Sequence, residues 1–252
     1  MYSEIVGILS NGSLKKKSLY EGSKKEYLLA SMMAGFFIGI GILIMSLSNL
    51  IFKSVSFPIE KLVNGFVFSL ALSLVMTVGG ELFTGNVLVL SMGSLDKKLS
   101  LKDCLKICSL SYLGNLFGAI ILSILFLGAE GSLTNIVDTV LNLATTKVSY
   151  SFSVLFFKGI MCNILVCLGV LAYNKMENEV AKLIMVFWCI LPFIALGFEH
   201  SIANMTCFTI AKIVSSEFTF AMIFRNLIPV TLGNILGGLI VSLTYFSLGK
   251  NK

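Results

Sequence analysis

Gly79-Gly80-Glu81-Leu82-Phe83-Thr84-Gly85-Asn86 and Gly197-Phe198-Glu199-His200-Ser201-Ile202-Ala203-Asn204 decide the architecture. Both read G-x-E-x-x-x-x-N. Each stands inside a long apolar run, Leu62–Ser91 and Leu183–Ala211. A straight helix of roughly 30 residues is about 45 Å long, against a hydrocarbon core of about 30 Å. Glycine costs a helix about 1 kcal/mol, and a carboxylate at the centre of a membrane helix about 2.5–3.5 kcal/mol. Each run is therefore expected to break at its glycine–acid stretch instead of crossing as one rod.

The rest of the chain is as apolar as these two runs. Of 252 residues, 56% are hydrophobic and 13% charged, and the mean hydropathy is +0.94. A soluble domain carries about 25% charged residues. The surplus apolar surface has to face lipid, which excludes a cytosolic enzyme, a disulfide-built secreted module and a disordered tail. The remaining runs are Leu28–Phe52, Leu105–Leu127, Ser151–Tyr173 and Ile228–Leu248. Six spans place both termini on one side. That side carries Lys15, Lys16, Lys17, Lys24, Lys25, Lys97, Lys98, Lys102, Lys106, Lys175, Lys182, Lys250 and Lys252. The other carries only Lys53, Lys61, Lys147, Lys212 and Arg225. The basic excess sets orientation, with both termini in the cytoplasm of a multi-pass plasma (cell inner) membrane protein, and does not point to nucleic acid. No short apolar segment with a cleavage site follows the first lysines, so no cleavable signal is expected. The six cysteines form no C-x-x-C and read as small free apolar residues, with no metal site and no cofactor.

A second motif follows each break at nearly constant spacing: Leu113-Gly114-Asn115-Leu116-Phe117-Gly118 and Leu232-Gly233-Asn234-Ile235-Leu236-Gly237, both L-G-N-x-x-G. Two motifs at one spacing indicate an internal duplication. Three spans per repeat reverse direction, so the halves are inverted. That design puts a site at the bilayer midplane between two interrupted helices. The expected fold is an all-α membrane protein, a single channel domain over 1–252. It comprises a cytoplasmic segment 1–26, repeat one 27–127, a connector 128–150 and repeat two 151–248. In the connector, Leu133, Ile136, Val137, Val140, Leu141 and Ala144 form a helical stripe. It reads as an amphipathic helix on the outer surface, covering the repeat seam or lying at the headgroups.

Glu81 and Glu199 are expected to tie down the non-helical loops by accepting freed backbone N–H groups, or else to carry protons. His200 is the only histidine and stands in the second break, where a titratable group at depth is functional by default. Thr84, in the first break, is positioned to donate to His200 or to a permeant species. Lys147 at the entrance of the fourth span is a snorkelling lysine or an electrostatic lure for anions. Asn163 is a buried amide suited to freed backbone, and Asn204 closes the second motif. Lys158 lies deeper and has three open readings: contact with another subunit, contact with a backbone carbonyl, or pore lining.

These residues resemble the formate/nitrite transporter family. The resemblance rests on Gly197-Phe198-Glu199-His200-Ser201-Ile202-Ala203-Asn204-Met205, on Glu81-Leu82-Phe83-Thr84, and on Lys158-Gly159-Ile160-Met161-Cys162-Asn163-Ile164-Leu165-Val166-Cys167-Leu168. It covers roughly residues 25–248 and is most similar to the hydrosulfide ion channel branch. The resemblance implies an aquaporin-like protomer with broken second and fifth helices, its own pore, and a homopentameric assembly. It implies a central His between two apolar constrictions, Phe68, Leu72 and Leu82 on the cytoplasmic side and Phe83, Val166 and Phe193 on the outer side. The implied substrates are small monovalent anions of weak acids: hydrosulfide, formate or nitrite. Gly85-Asn86 departs from the small hydroxylated residues that other members often carry there. Three rivals fit less well. A neutral-solute pore of the aquaporin type would carry N-P-A-like caps, which are absent. An intramembrane enzyme would need a histidine cluster or G-x-S-x-G, so no catalytic residues are expected. A purely structural protein has no use for Glu81, Glu199 and His200 at depth. A proton-coupled carrier for the same anions shares every feature of the channel.

Overall fold

The computed structural model describes residues 1–52, 59–129 and 134–250. Among these there are ten α-helices and no strand. Helix α1 (Tyr2–Gly22) is separated from α2 (Lys24–Phe52) by Ser23 alone, in extended conformation, whose Oγ accepts the Glu26 N–H. Then come α3 (Glu60–Leu74), a π turn (Val75–Gly79), α4 (Phe83–Leu95) and α5 (Leu101–Gly128). They are followed by α6 (Thr134–Ser149), α7 (Phe152–Lys175), α8 (Glu179–Ala195), α9 (Ser201–Val214) and α10 (Phe220–Lys250).

Both long runs are interrupted where glycine and acid coincide. Gly79 (φ +101°) and Gly197 (φ +69°) stand in the left-handed region, which side chains with a Cβ rarely adopt. The chain then runs extended through Leu82 and His200, and a new helix starts at Phe83 or Ser201.

The L-G-N-x-x-G motifs explain the closest helix contacts. Helices α2 and α5 pack along much of their length, and so do α7 and α10. A Cβ on Gly118 would stand 1.9 Å from the Met32 carbonyl oxygen, and one on Gly233 2.2 Å from that of Phe156. Only glycine permits backbones to meet this closely, and membrane helices gain their association from such packing.

Among the described residues, five helices are long and apolar enough to cross a bilayer: α2, α3 with its π turn, α5, α7 and α10. Phe66, Trp188, Leu105, Ile124, Phe157, Phe224 and Ile228 point outward and exposed, the reverse of a water-soluble surface. The interior is polar in places, with Asn86, Asn115, Asn163, Glu199, His200, Asn204 and Asn234 all buried.

Two elements that flank the spans pack against them. Helix α1, in the segment expected to be cytoplasmic, docks on α4 and α10. It buries Ile5 and Leu9, and Lys17 is tied to Asp103 at 3.0 Å. The hydrogen bond to Asp103 holds the Lys17 ammonium above its ordinary value of 10.5. The connector stripe is directed inward: Ile136, Val140 and Ala144 are buried, and α6 packs on α9 and α2. Leu133 of that stripe, like Lys53 and Lys252 of the charge pattern, lies outside the described residues.

Candidate functional site: a waist between two cavities

The two breaks are held by equivalent bonds. Asn115 Oδ1 accepts the Phe83 N–H at 2.9 Å, and its amide donates to Ser31 O at 2.7 Å and Glu81 O at 3.0 Å. Asn234 Oδ1 accepts the Ser201 N–H at 2.9 Å, and its amide donates to Gly159 O at 2.9 Å and Glu199 O at 3.0 Å. Glu81 N–H donates to Ala30 O, and Glu199 N–H to Lys158 O. Each asparagine bonds one N–H and one carbonyl of the break and one carbonyl of a neighbouring unbroken helix, α2 or α7, so the freed backbone is satisfied and tied to its neighbour.

The carboxylates do not serve the backbone, contrary to the reading of the sequence. Glu199 Oε1 accepts from Lys147 Nζ at 2.9 Å, and Oε2 from Asn204 Nδ2 at 2.7 Å. The same Asn204 amide donates to Asn226 Oδ1, whose own amide reaches Lys147 O. Glu81 is held by Lys16 Nζ at 2.9 and 2.8 Å and by the Tyr27 hydroxyl at 3.2 Å. A neutral amide costs less to bury than a carboxylate, so asparagine takes the backbone donors and each glutamate takes a cation. The Lys147 and Glu199 side chains are 12% and 3% exposed, those of Lys16 and Glu81 21% and 13%. The first pair is the drier one.

His200 is the N-cap of α9. Its Nδ1 accepts the Ala203 N–H at 3.2 Å, a role usually filled by Ser, Thr or Asp. Its Nε2 is 2.9 Å from Thr84 Oγ1. With Nδ1 occupied as an acceptor, the ring proton of the neutral imidazole sits on Nε2 and is donated to Thr84. The threonine hydroxyl hydrogen is then left to point elsewhere. Asn163 donates to Asn234 O at 2.6 Å and Thr84 O at 3.3 Å, so it ties α7 to α10 and to the start of α4.

Three cavities run through this region. The larger, about 450 Å³, is lined by Lys147, Glu199, His200, Asn204, Phe193, Lys158 and Tyr150 among others. A second, about 280 Å³, is lined by Lys16, Glu81, Leu72, Leu82 and Asn86. Between them lies a space of about 10 Å³ bounded by Ile38, Phe68, Leu72, Leu82, Val166, Ile190, Phe193 and His200. It shares Leu72 and Leu82 with one cavity and Phe193 and His200 with the other. A space of this size is at the lower limit for holding one water.

Of the residues singled out from the sequence, Phe68, Leu72, Leu82, Val166, Phe193 and His200 bound one common space, where two constrictions flanking the histidine were expected. Lys147, Lys158, Glu199 and Asn204 line the larger cavity and Glu81 the second, while Thr84 and Asn163 join the site only through hydrogen bonds to His200 and to the start of α4. Phe68 meets Phe193 edge to face at 5.6 Å, and Phe193 lies 6.2 Å from His200. Phe83 stands apart from the waist. It is the first residue of α4, and its ring is turned onto Tyr112, 4.9 Å away. Ile38, Ile190, Lys16, Tyr27, Asn115, Asn226 and Asn234 take part without having been assigned a site role. Asn115 and Asn234 were signalled by the repeated motif, and Asn226 by none. Lys16 lies in an unremarkable lysine run.

The broken helices, the buried His at a waist and the lysine-held glutamates describe a membrane transport protein. The model of the formate/nitrite transporter family matches residues 3–247, and the chain belongs to that family. The nitrite transporter NirC of Escherichia coli (strain K12) is 38% identical over 245 residues, 94% of this chain and 88% of the relative. A solved FNT family ion channel superposes with a TM-score of 0.89 at 34% identity, covering 97% of this chain and 98% of that one. A pentameric formate channel with formate bound gives a TM-score of 0.79 at 30% identity, covering 94% and 99%. The protein is accordingly a multi-pass membrane protein, and its relatives are transporters and channels.

Proposed function

We propose that the chain is a channel for small monovalent anions of weak acids, with hydrosulfide, formate and nitrite as candidates, and that it is not an enzyme. The observation that carries this reading is His200, which bounds the waist between two cavities each bearing a lysine and is bonded to Thr84 at 2.9 Å behind it. The names of the nitrite-transporting and formate-bound relatives support the substrate class. The pattern of Lys and Arg supports an orientation with both termini cytoplasmic. The Lys147 cavity is then the outer vestibule and the Lys16 cavity the cytoplasmic one. The matching bonds of Asn115 and Asn234 support two inverted three-span repeats, 27–127 and 151–248, in one six-span domain. The outward apolar faces suit lipid and a homopentameric assembly.

The physical problem is the waist. Moving a bare ion into a low-dielectric ring costs several kcal/mol even after relaxation. One charge-assisted hydrogen bond returns about 1.5–3 kcal/mol. The Thr84 hydroxyl, freed by accepting from His200, supplies one such bond where Phe68, Leu72, Leu82, Val166 and Phe193 supply none. Chloride gains no more than that bond. A weak acid gains further by sharing a proton drawn from vestibule water, so it crosses the ring with its charge muted. The dryness of the waist favours a second reading on the same path, proton-coupled carriage of the same anions.

The experiment is flux through proteoliposomes of the purified chain with hydrosulfide, formate, nitrite, acetate, chloride and glycerol across a pH series, recording anions moved against charge moved. Passage of the first three over chloride and glycerol is expected. One charge per anion denotes passage as the bare anion, and none denotes passage together with a proton. Glycerol permeation without anion flux would overturn the assignment.

A further inference from the structure

Lys158 is the one charge near the break that the mechanism has not used. Its carbonyl accepts the Glu199 N–H at 3.3 Å, so its backbone is level with the interrupted helix. Side chains on a helix lean toward its N-terminus, which in α7 is Phe152. The ammonium is thereby carried back along α7 and stops over the Tyr150 ring, 3.9 Å from the centroid. That is a close cation–π contact. Both residues line the 450 Å³ cavity, with Lys147, Glu199 and His200.

The charges of that cavity are not equivalent. Lys147 is bound to Glu199 at 2.9 Å and presents the cavity with a dipole. Glu60 and Lys61, also on the lining, are of opposite sign. Among the described residues, Lys158 has no carboxylate within 4 Å. A tight pair's field falls off faster with distance than that of a single charge, so the field felt by an ion in the cavity water is largely that of Lys158.

We propose that Lys158 is the anion-collecting residue of the outer vestibule and that Tyr150 holds its ammonium toward the cavity instead of the lipid. The inference rests on reading that cavity as the mouth of an anion pore. Lys147 then serves chiefly to neutralise Glu199 and hold the break. A single uncompensated charge within about 10 Å of an entering ion enriches it roughly three- to fivefold at low salt.

The test is formate flux in proteoliposomes against formate concentration, for the wild type, Lys158→Gln, Lys158→Arg and Tyr150→Leu. At about 50 mM salt, Lys158→Gln is expected to raise the half-saturating formate concentration roughly three- to fivefold with the maximal rate unchanged. At about 1 M salt, where the screening length is about 3 Å, the difference is expected to vanish. Lys158→Arg is expected to retain the wild-type value, and Tyr150→Leu to give a smaller shift of the same sign. An unchanged half-saturating concentration in Lys158→Gln at low salt overturns the inference. So does a fall in maximal rate that is equal at both salt concentrations, which marks a structural role. A wild type that passes no weak-acid anion overturns the pore reading and this inference with it, whereas a conducting wild type matched by Lys158→Gln sinks the inference alone.

Discussion

Replacing Lys147 by Met should be one of the most destabilising single changes in the site, although the side chains are similar in length. Glu199 is 3% exposed, with Lys147 on one carboxylate oxygen and Asn204 on the other. Lys147→Met removes the cation and leaves a buried carboxylate with one amide donor. Breaking a buried pair from one side costs about 3–5 kcal/mol. Adding Glu199→Gln removes the stranded charge, so the double variant is expected to lose only about 1–2 kcal/mol. Glu199→Gln added to Lys147→Met is thus expected to recover about 2–3 kcal/mol, and the Glu199→Gln single variant completes the cycle. Lys16→Met provides the internal control. The Lys16 and Glu81 side chains are 21% and 13% exposed, and the Tyr27 hydroxyl also donates to the carboxylate. Water and tyrosine partly replace the lysine there, so the loss should be about 1–2 kcal/mol. The assay is unfolding of purified protein in mixed micelles by SDS titration, run as a double-mutant cycle. A Lys147→Met loss under about 1 kcal/mol, or a double variant no more stable than the single one, would refute the reasoning.

Two further outcomes follow from the breaks and the packing. Asn115→Leu and Asn234→Leu each strand one backbone N–H and remove two bonds to carbonyls, so each is expected to cost about 2–4 kcal/mol, read in the same unfolding assay. Gly118→Ala places a Cβ 1.9 Å from the Met32 carbonyl oxygen and forces α5 away from α2. The expected loss is about 1–3 kcal/mol, whereas Gly7→Ala, inside α1 with nothing within 4 Å of the new Cβ, should stabilise by up to about 1 kcal/mol in the same assay.

The breaks were legible because their physics is local. A run too long for the bilayer, with glycine and a carboxylate at its centre, has few ways to stay helical, and Gly79 and Gly197 both adopt positive φ. The connector helix was legible from its stripe, since Ile136, Val140 and Ala144 do turn inward. What pairs with what was not legible. Lys16 and Glu81 are far apart in sequence, and a lysine run ordinarily reads as a solvated tail. Dipole reasoning assigned the freed N–H groups to the glutamates. It missed the competition from Asn115 and Asn234, which close helix packing brings to the same donors without the cost of burying a charge. Phe83 was placed in the outer constriction by motif position, but as the first residue of α4 its ring packs on Tyr112 of α5. His200 was read as pore-facing, yet nothing in its neighbours foretold that one ring nitrogen would cap α9 and so fix the proton on the other.

The most direct measurement is weak-acid anion flux through proteoliposomes carrying Thr84→Val or His200→Ala, as a function of pH. If the pair at the waist supplies the hydrogen bond that offsets entry into the apolar ring, Thr84→Val lowers flux about 10- to 150-fold, the equivalent of one charge-assisted bond. His200→Ala lowers it too and alters its pH profile, with both proteins still assembling as the wild type does. Flux, selectivity and pH profile left unchanged in both variants would contradict the account.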